Sequence, residues 1–233
     1  ANDEPNRKGI TQIRYVEGLY AYWDYLLERF PNLLIDNCAS GGRRLDLETS
    51  RRSAPLWRTD YQYGEPNGAQ NHTYWLNFYL PLHGTGVFAF DEYSFHSVLS
   101  SAMVLNWDLT SREGDVREMR RLVDQYKSIR PYFYENYYPL SGFKDFKPLN
   151  VWLAYQLDRP SDQTGLVVAF KRKDSKSDKE VVRLNKLDPQ ATYELENLKD
   201  HSKITKTGSE LLGGFEIELK ASPGSVVYRY KKM

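Results

Sequence analysis

LLIDNCASGGRRLD (residues 33–46) and PLWRTD (residues 55–60) decide the predicted fold of this chain. Each stretch begins with a short apolar run and ends in small or polar residues. That pattern is typical of a strand that is buried on both faces and delivers functional groups at its carboxyl end. Barrel enzymes keep their chemistry at such strand ends. We therefore expect neighbouring parallel strands whose carboxyl ends lie at the same edge of a sheet.

Helical patterns surround these two predicted strands up to about residue 142. Apolar residues recur at three- and four-residue spacing in several segments, and one further apolar run follows a Gly-x-Gly break. The predicted helices cover residues 11–30, 44–52, 72–80, 94–105 and 113–130, and the further strand covers residues 86–90. Alternating strands and helices are the signature of a parallel sheet with helical crossovers.

The pattern changes after residue 142, where six short alternating runs are separated by charged or Gly/Pro turns. They cover residues 151–157, 165–170, 180–184, 192–195, 214–219 and 225–230. Runs of this length without helical spacing indicate a small antiparallel β-sandwich.

Composition favours a neutral, uncharged substrate. Lys and Arg (32) nearly balance Asp and Glu (31), and no basic stretch has interleaved aromatic residues, so we predict no nucleic-acid partner. No apolar run approaches the ~20 residues that span a bilayer, so we predict no membrane partner. The 18 Tyr and 5 Trp fit a sugar-binding cleft, which uses such rings as flat platforms.

The four histidines and the single cysteine show no metal-ligand spacing, and no phosphate or dinucleotide motif is present, so we predict no metal and no cofactor. The chain has 233 residues, fewer than the ~250 of a complete (β/α)8 barrel, and it begins without an initiator Met or an apolar leader. We therefore expect a fragment. Its compartment stays unknown, and an oligomer is compatible with the sequence.

The two opening stretches resemble the strand pair of the α-galactosidases (melibiases) of glycoside hydrolase family 36, in clan D. In that family a Cys-Ser/Ala-(Gly/Ser)-Gly-Gly run contacts the sugar, and a Trp-x-Ser/Thr-Asp element about one βα unit later supplies the acid/base carboxylate. Further similar pieces extend the resemblance over about residues 2–140. It implies an α/β fold, with the C-terminal half of a (β/α)8 TIM barrel over residues 1–142 and a C-terminal β-sandwich over residues 147–233.

The resemblance assigns the acid/base role to Asp60. Hydrolysis of a glycoside with retention needs two carboxyl groups about 5–5.5 Å apart, one as nucleophile and one as acid and base. In the family the nucleophile is an Asp on the barrel strand that precedes the region corresponding to this chain. We therefore expect half an active site here, inactive as an isolated fragment.

Sugar contacts are expected around the same strand ends. The resemblance places Cys38, Gly41 and Gly42 in the element that contacts sugar hydroxyls, where glycines let the backbone approach a ligand closely. Asp36, at the end of its strand, is a further candidate contact.

Two more candidates carry an open alternative. Trp57 is either a stacking platform for the sugar or a core residue. Arg44 either reaches the substrate or orients the glycine-containing loop by charge-assisted bonds.

Together these assignments predict a retaining α-galactosidase-like hydrolase that removes terminal α-linked galactose from an oligosaccharide or glycoconjugate by double displacement. Two alternatives stay open. One is a related α-glycosidase for another glycone, such as α-N-acetylgalactosamine. The other is a carbohydrate-binding barrel without catalysis.

Overall fold

The computed structural model of this chain describes residues 3–38, 41–60, 66–110, 115–142 and 148–233. Its helices are Ile10–Arg29 (α1), Leu47–Ser50 (α2), Pro66–Leu76 (α3), Glu92–Ser97 (α4), Val116–Ile129 (α5) and Gly208–Gly213 (α6), with a 3-10 helix at Arg130–Tyr134. Its strands are Gly84–Val87 (β1), Ala102–Leu105 (β2), Asn136–Pro139 (β3), Trp152–Arg159 (β4), Thr164–Lys171 (β5), Lys179–Val182 (β6), Thr192–Asn197 (β7), Lys203–Thr207 (β8), Phe215–Glu218 (β9) and Gly224–Lys232 (β10).

Four consecutive segments in the first part of the chain run parallel to one another. Asp36 and Ala54 form a parallel bridge, and the amide of Asn37 donates to the carbonyl of Ala54 over 2.9 Å. The amide of Arg58 then donates to the carbonyl of Gly84 over 2.9 Å, and β1 pairs with β2 in parallel register. The two opening stretches are thus parallel neighbours, but the prediction that they are buried strands is wrong: Asp36 and Ala54 form an isolated bridge, neither residues 33–37 nor residues 55–59 form a strand, and Leu33 and Leu34 are exposed.

Helix α1 follows the predicted range closely, but little of it is buried. Within it, Trp23 is the buried residue. Large apolar and aromatic side chains along its length are exposed, namely Ile13, Tyr15, Val16, Tyr22 and Tyr25. Side chains of this kind normally pack against another element, so α1 presents an apolar surface that the described residues do not cover.

The helix predicted over residues 94–105 is wrong in its second half. Helix α4 ends at Ser97, and β2 occupies Ala102–Leu105. Two serines lie between these elements, where their hydroxyls bond to backbone carbonyls, Ser100 to that of Ala102 and Ser101 to that of His83. Such side-chain bonds compete with helical backbone pairing, which allows the strand to follow directly.

The second part of the chain is an antiparallel β-sandwich. Its main sheet has the strand order β3-β4-β5-β10-β7-β8, and β6 pairs with β9 in a second sheet. The two sheets enclose a core that includes Trp152, Val167, Leu195, Phe215 and Ile217. All six runs predicted as strands are strands, whereas β3, β8 and α6 were not predicted.

The other face of the main sheet shares one core with the helices of the first part. Phe95 of α4 and Leu122 of α5 belong to the same buried cluster as Leu153 of β4 and Phe170 of β5. Strand β3 lies before residue 142 in the sequence but pairs with β4. The division into residues 1–142 and 147–233 stays a prediction, and residues 143–147 lie outside the described residues.

The buried side chain of Arg172, just after β5, ties the sandwich to helix α3. Its Nε donates to Oε1 of Gln70 over 3.1 Å, and a terminal nitrogen donates to Oδ1 of Asn71 over 2.6 Å. A second guanidinium nitrogen donates to the carbonyl of Pro148 over 3.2 Å. The sandwich therefore braces the helix that follows the second parallel segment.

Candidate active site

Two glycines lie against the end of the second parallel segment. A Cβ placed on Gly41 would be 2.5 Å from the amide nitrogen of Asp60 and 2.8 Å from its Oδ2. A Cβ on Gly42 would be 2.2 Å from the carbonyl oxygen of Arg58. Both glycines have positive φ, +64° and +93°, which side chains disfavour. The structure therefore brings Gly41 into direct contact with the predicted acid/base residue, and Gly42 into contact with the backbone two residues before it.

A short set of polar contacts holds this loop. Nδ2 of the buried Asn37 donates to the carbonyl of Arg44 over 2.7 Å, and the hydroxyl of Thr49 donates to the same carbonyl over 2.6 Å. Asp46 caps helix α2 by accepting from the amide of Thr49 over 2.9 Å. Burial would raise the pKa of Asp46, but the hydrogen bonds from Thr49 hold it below its usual value. These contacts use the backbone carbonyl of Arg44, so both alternatives for its side chain stay predictions.

Trp57 contacts Asp60 directly. Its indole Nε1 donates to Oδ1 of Asp60 over 3.0 Å. Its ring also lies against β1, since a Cβ on Gly86 would be 2.8 Å from ring atoms of Trp57. The ring of Phe88 packs edge-on against it at a centroid distance of 6.4 Å. Trp57 is therefore half-buried and holds the carboxylate, an arrangement between the two alternatives considered from the sequence.

Asn106 is a candidate site residue that was not predicted from the sequence. It follows β2, at the same edge as Asp60, and its Nδ2 would be 2.2 Å from a Cβ on Gly86, the glycine under Trp57. Nδ2 is buried and has no hydrogen-bond partner among the described residues. A buried donor without an acceptor lowers the stability of the fold, and a substrate hydroxyl could supply the acceptor. In the sequence, Asn106 could have been found as the polar residue that directly follows the apolar run at residues 102–105.

Asp36 and Cys38 lie on the first parallel segment. Oδ1 of Asp36 accepts from the amide of Leu56 over 3.1 Å, so this carboxylate links two neighbouring segments. Cys38 is exposed and directly follows the paired residues, at the carboxyl end shared with Asp60. Residues 39–40, which complete the predicted Cys-to-Gly run, lie outside the described residues.

The buried side chain of Arg58 supports the end of the second parallel segment. Its side chain is 1% exposed, and one terminal nitrogen lies 2.8 Å from Nδ1 of His83 while the other donates to the carbonyl of Ala69 over 2.8 Å. Burial lowers the pKa of Arg58 to about 9, so its guanidinium is charged at neutral pH. Nδ1 of His83 must then accept, and its Nε2 donates to Oδ1 of Asn77 over 2.8 Å.

Burial and the charge of Arg58 hold the pKa of His83 well below its usual value, so the ring is neutral. The same two causes lower the pKa of His72 to about 4. The hydrogen bonds of Arg58 with His83 and Ala69 anchor the second parallel segment two residues before Asp60.

Over the described ranges, no group of three or more His, Cys, Asp or Glu side chains has the geometry to hold a metal ion. No helix among these residues combines the length and apolarity that crossing a membrane requires.

No protein-family model matches the chain. Curated proteins do. Alpha-galactosidase AgaA of Geobacillus stearothermophilus is 28% identical over 211 residues, which are 83% of this chain and 28% of that protein. The bifunctional alpha-galactosidase/sucrose kinase AgaSK of Mediterraneibacter gnavus is 27% identical over 224 residues, or 88% of this chain and 22% of that protein. The chain thus spans less than a third of the length of these relatives.

Solved structures show the same relationship at the level of the fold. The crystal structure of the family 36 α-galactosidase AgaA matches with a TM-score of 0.80 and 23% identity, over 100% of this chain and 33% of that one. A variant of AgaA in complex with raffinose matches equally well, at 22% identity. The galactosidase domain of AgaSK matches with a TM-score of 0.74 over 94% of this chain. This chain therefore has the fold of the C-terminal region of the glycoside hydrolase family 36 α-galactosidases and is similar in sequence to curated α-galactosidases.

Proposed function

We propose that this chain carries the acid/base half of the active site of a retaining α-galactosidase. The observation that carries the proposal is the contact between Gly41 and Asp60, because it joins the predicted sugar-binding loop to the predicted acid/base carboxylate. The relatives are named as α-galactosidases, and the AgaA structures include complexes with raffinose and stachyose.

We further propose that residues 1–142 form the C-terminal half of a (β/α)8 barrel. Four parallel segments in consecutive order support this arrangement, with Cys38, Asp60 and Asn106 each following one of them. The exposed apolar surface of α1 supports it too, since the remaining half of a barrel would cover this surface.

In the proposed mechanism, a carboxylate from outside this chain attacks the anomeric carbon while Asp60 protonates the departing oxygen. Asp60 then removes a proton from water, which releases the sugar with retained configuration. Trp57 holds Oδ1 of Asp60 in place through both steps, and Gly41 packs against the side of the same carboxylate. Cys38, Gly42 and the free donor of Asn106 supply contacts to sugar hydroxyls.

The test is Asp60→Asn in a polypeptide that also carries the nucleophile. The amide cannot donate a proton to the departing oxygen, so turnover of raffinose should fall by about 10²–10⁴-fold. An aryl galactoside with an activated leaving group needs little protonation, so its first step should be affected less. Azide should then restore part of the rate and give an α-configured glycosyl azide.

Asp115→Asn is the matched control, because Asp115 is an exposed helix cap of α5. It should leave both substrates unaffected. Equal losses for both substrates in Asp60→Asn, without azide rescue, would show that Asp60 is not the acid/base. If α-N-acetylgalactosaminides are turned over faster than α-galactosides, the glycone is α-N-acetylgalactosamine and not galactose. Turnover by the 233-residue chain alone would refute the assignment of the nucleophile to residues outside it.

A further inference from the structure

A cavity of about 510 Å³ lies at one end of the sandwich, and the proposed catalytic site does not use it. It is lined by residues from the start of β3 and the ends of β4 and β10, together with two loop segments. Arg172, which contacts helix α3, lies just past the opposite end of β5. An eight-residue strand is about 25 Å long, so the cavity is separated from the contact with α3 by the length of the sheet.

The floor of the cavity depends on a glycine. A Cβ on Gly165 would be 2.2 Å from Cζ and the hydroxyl oxygen of Tyr230, so the end of the Tyr230 ring occupies the space that a side chain at residue 165 would need. From there its hydroxyl donates to Oδ1 of Asp158 over 2.7 Å and accepts from Nε2 of Gln156 over 2.8 Å. The carboxylate of Asp158 is thereby fixed in one orientation beside the cavity.

Asp158 is an unusual residue for a structural role. It is 7% exposed, and no lysine or arginine among the described residues forms a salt bridge with it. Burial raises its pKa, and hydrogen bonds from Tyr230 and Asn136 oppose that rise. A buried carboxylate has about four lone-pair sites, so it retains capacity to accept further hydrogen bonds.

The charges around the cavity balance. Nζ of Lys232 lies 3.0 Å from Oδ2 of Asp188, which neutralises both groups. The remaining charged groups of the lining are Asp158 and the exposed Lys186. These two groups have opposite charges, so the lining as a whole has no net charge to attract an ion, while Asp158 offers acceptor atoms. The lining therefore favours a neutral ligand with hydroxyl donors.

Tyrosine rings supply the apolar part of the lining. Tyr138 is half-buried on β3 and pairs with Gln156 in the antiparallel register, which places it on the same face as Asp158. Tyr193 is buried on β7, and its hydroxyl accepts from the amide of Asp188 over 3.0 Å. Rings of this type pack against the C–H face of a pyranose while a nearby carboxylate accepts from its hydroxyls.

We infer that this cavity is a second carbohydrate-binding site, which takes one or two neutral pyranose units on Tyr138 and Asp158. Its volume lies in the range of ordinary small-molecule sites. The inference does not rest on the proposed catalytic function, because none of the lining residues belongs to the candidate active site.

The experiment is a ligand-observed NMR titration of the chain with methyl α-galactoside, methyl α-glucoside and raffinose. At least one of these probes should bind, and Asp158→Asn should weaken that binding by about tenfold, because hydrogen bonds to an ionised acceptor are about twice as strong as neutral ones. Tyr138→Ala should weaken it similarly. Asp124→Asn and Tyr134→Ala, at exposed positions outside the cavity, are the matched controls and should leave the affinity unchanged.

Circular dichroism and thermal melting are the checks that each variant is folded. Gly41→Ala, in the candidate active site, should leave the affinity of the sandwich site unchanged, so a failure of the catalytic proposal and a failure of this inference give different results. The inference is overturned if no probe binds, or if Asp158→Asn and Tyr138→Ala bind as the unmodified chain does. Preferential binding of a simple amine such as ethanolamine would also overturn it.

Discussion

The indole of Trp57 donates a 3.0 Å hydrogen bond to Oδ1 of Asp60, three residues further along the chain. The contact fixes the carboxylate from within its own segment, and the ring that makes it is held by Gly86 and Phe88. An acid/base group must be held in one orientation for proton transfer. The pair therefore suggests a test that separates the hydrogen bond from the packing of the ring.

Trp57→Phe removes the donor and keeps most of the apolar ring. We expect kcat/KM for raffinose to fall by about tenfold, the usual effect of losing one hydrogen bond to a charged group. The measurement is steady-state kinetics in a polypeptide with the complete site. Trp152→Phe is the control, since it removes an indole hydrogen bond to the carbonyl of Ser177 inside the sandwich. An undiminished rate in Trp57→Phe would mean that the hydrogen bond has no catalytic role.

Gly41→Ala should disrupt the site through close contact. The new Cβ would lie 2.5 Å from the amide nitrogen of Asp60, so the loop or the carboxylate must move. We expect about a hundredfold loss of turnover, since displacement by about 1 Å has that effect on positioned groups. Gly142→Ala is a matched control, because Gly142 has a similar φ of +69° with nothing within 4 Å of a Cβ. Both variants carry similar backbone strain, so only the contact with Asp60 differs between them. Gly142→Ala should therefore keep its activity.

The histidines around Arg58 predict a loss of stability in mild acid. His72 and His83 have lowered pKa values in the folded state, so unfolding takes up protons below the unfolded-state pKa of about 6.5. The free energy of unfolding should therefore decrease as pH falls from about 6.5 to 5, by up to about 1.4 kcal/mol per pH unit for each such histidine.

His83→Asn tests this prediction, because an asparagine oxygen can accept from Arg58 in place of Nδ1. Urea unfolding at several pH values should show a slope smaller by about one proton than in the unmodified chain. Gln190→Asn, at an exposed position on the sandwich, changes no titratable group and should preserve the slope. If His83→Asn leaves the slope unchanged, His83 is already protonated in the folded state or does not titrate in this range.

Arg172→Met should weaken the attachment of the sandwich to helix α3. The methionine keeps much of the volume but leaves the oxygens of Gln70 and Asn71 without this donor, at a cost of about 2–4 kcal/mol in the free energy of unfolding. Arg183→Met, at an exposed position on the same part of the chain, should change it by less than about 0.5 kcal/mol. Chemical denaturation measures both. Equal stability of the two variants would contradict a bracing role for Arg172.

Sequence reasoning succeeded where hydrophobic period determines structure. The six alternating runs of the sandwich are strands because each has at least one face in a core. The apolar runs at residues 33–37 and 55–59 lie in parallel neighbours but are not strands, since Asp36 and Ala54 form an isolated bridge and Leu33 and Leu34 are exposed. Sequence reasoning also failed for β2, where Ala102–Leu105 continues a helical spacing but the serines before it bond to backbone carbonyls, Ser100 to that of Ala102 and Ser101 to that of His83, 18 residues earlier.

The candidate site shows a similar division. Gly41, Gly42 and Asp60 were identified from residue types in a fixed order, and the structure places Gly41 against Asp60 and Gly42 against the carbonyl of Arg58. Arg58 was overlooked because a charged residue inside a strand motif is usually assigned to the surface. Its burial depends on His83, 25 residues later in the chain, and a contact of that range is not visible in a local pattern.

The central position of β10 has a consequence for the order in which this protein is assembled. Residues 224–232 pair with both β5 and β7, and Ser225 lies 2.9 Å from Nδ1 of His96 in helix α4. A ribosome releases the parallel segments well before it releases this strand. Until then, the face of the sheet that packs on α4 and α5 has a gap in its middle, and its apolar residues are exposed to other nascent chains. The stretch around Asp60 is thus synthesised early, but the sheet behind its neighbouring helices is completed by residues made about 165 positions later.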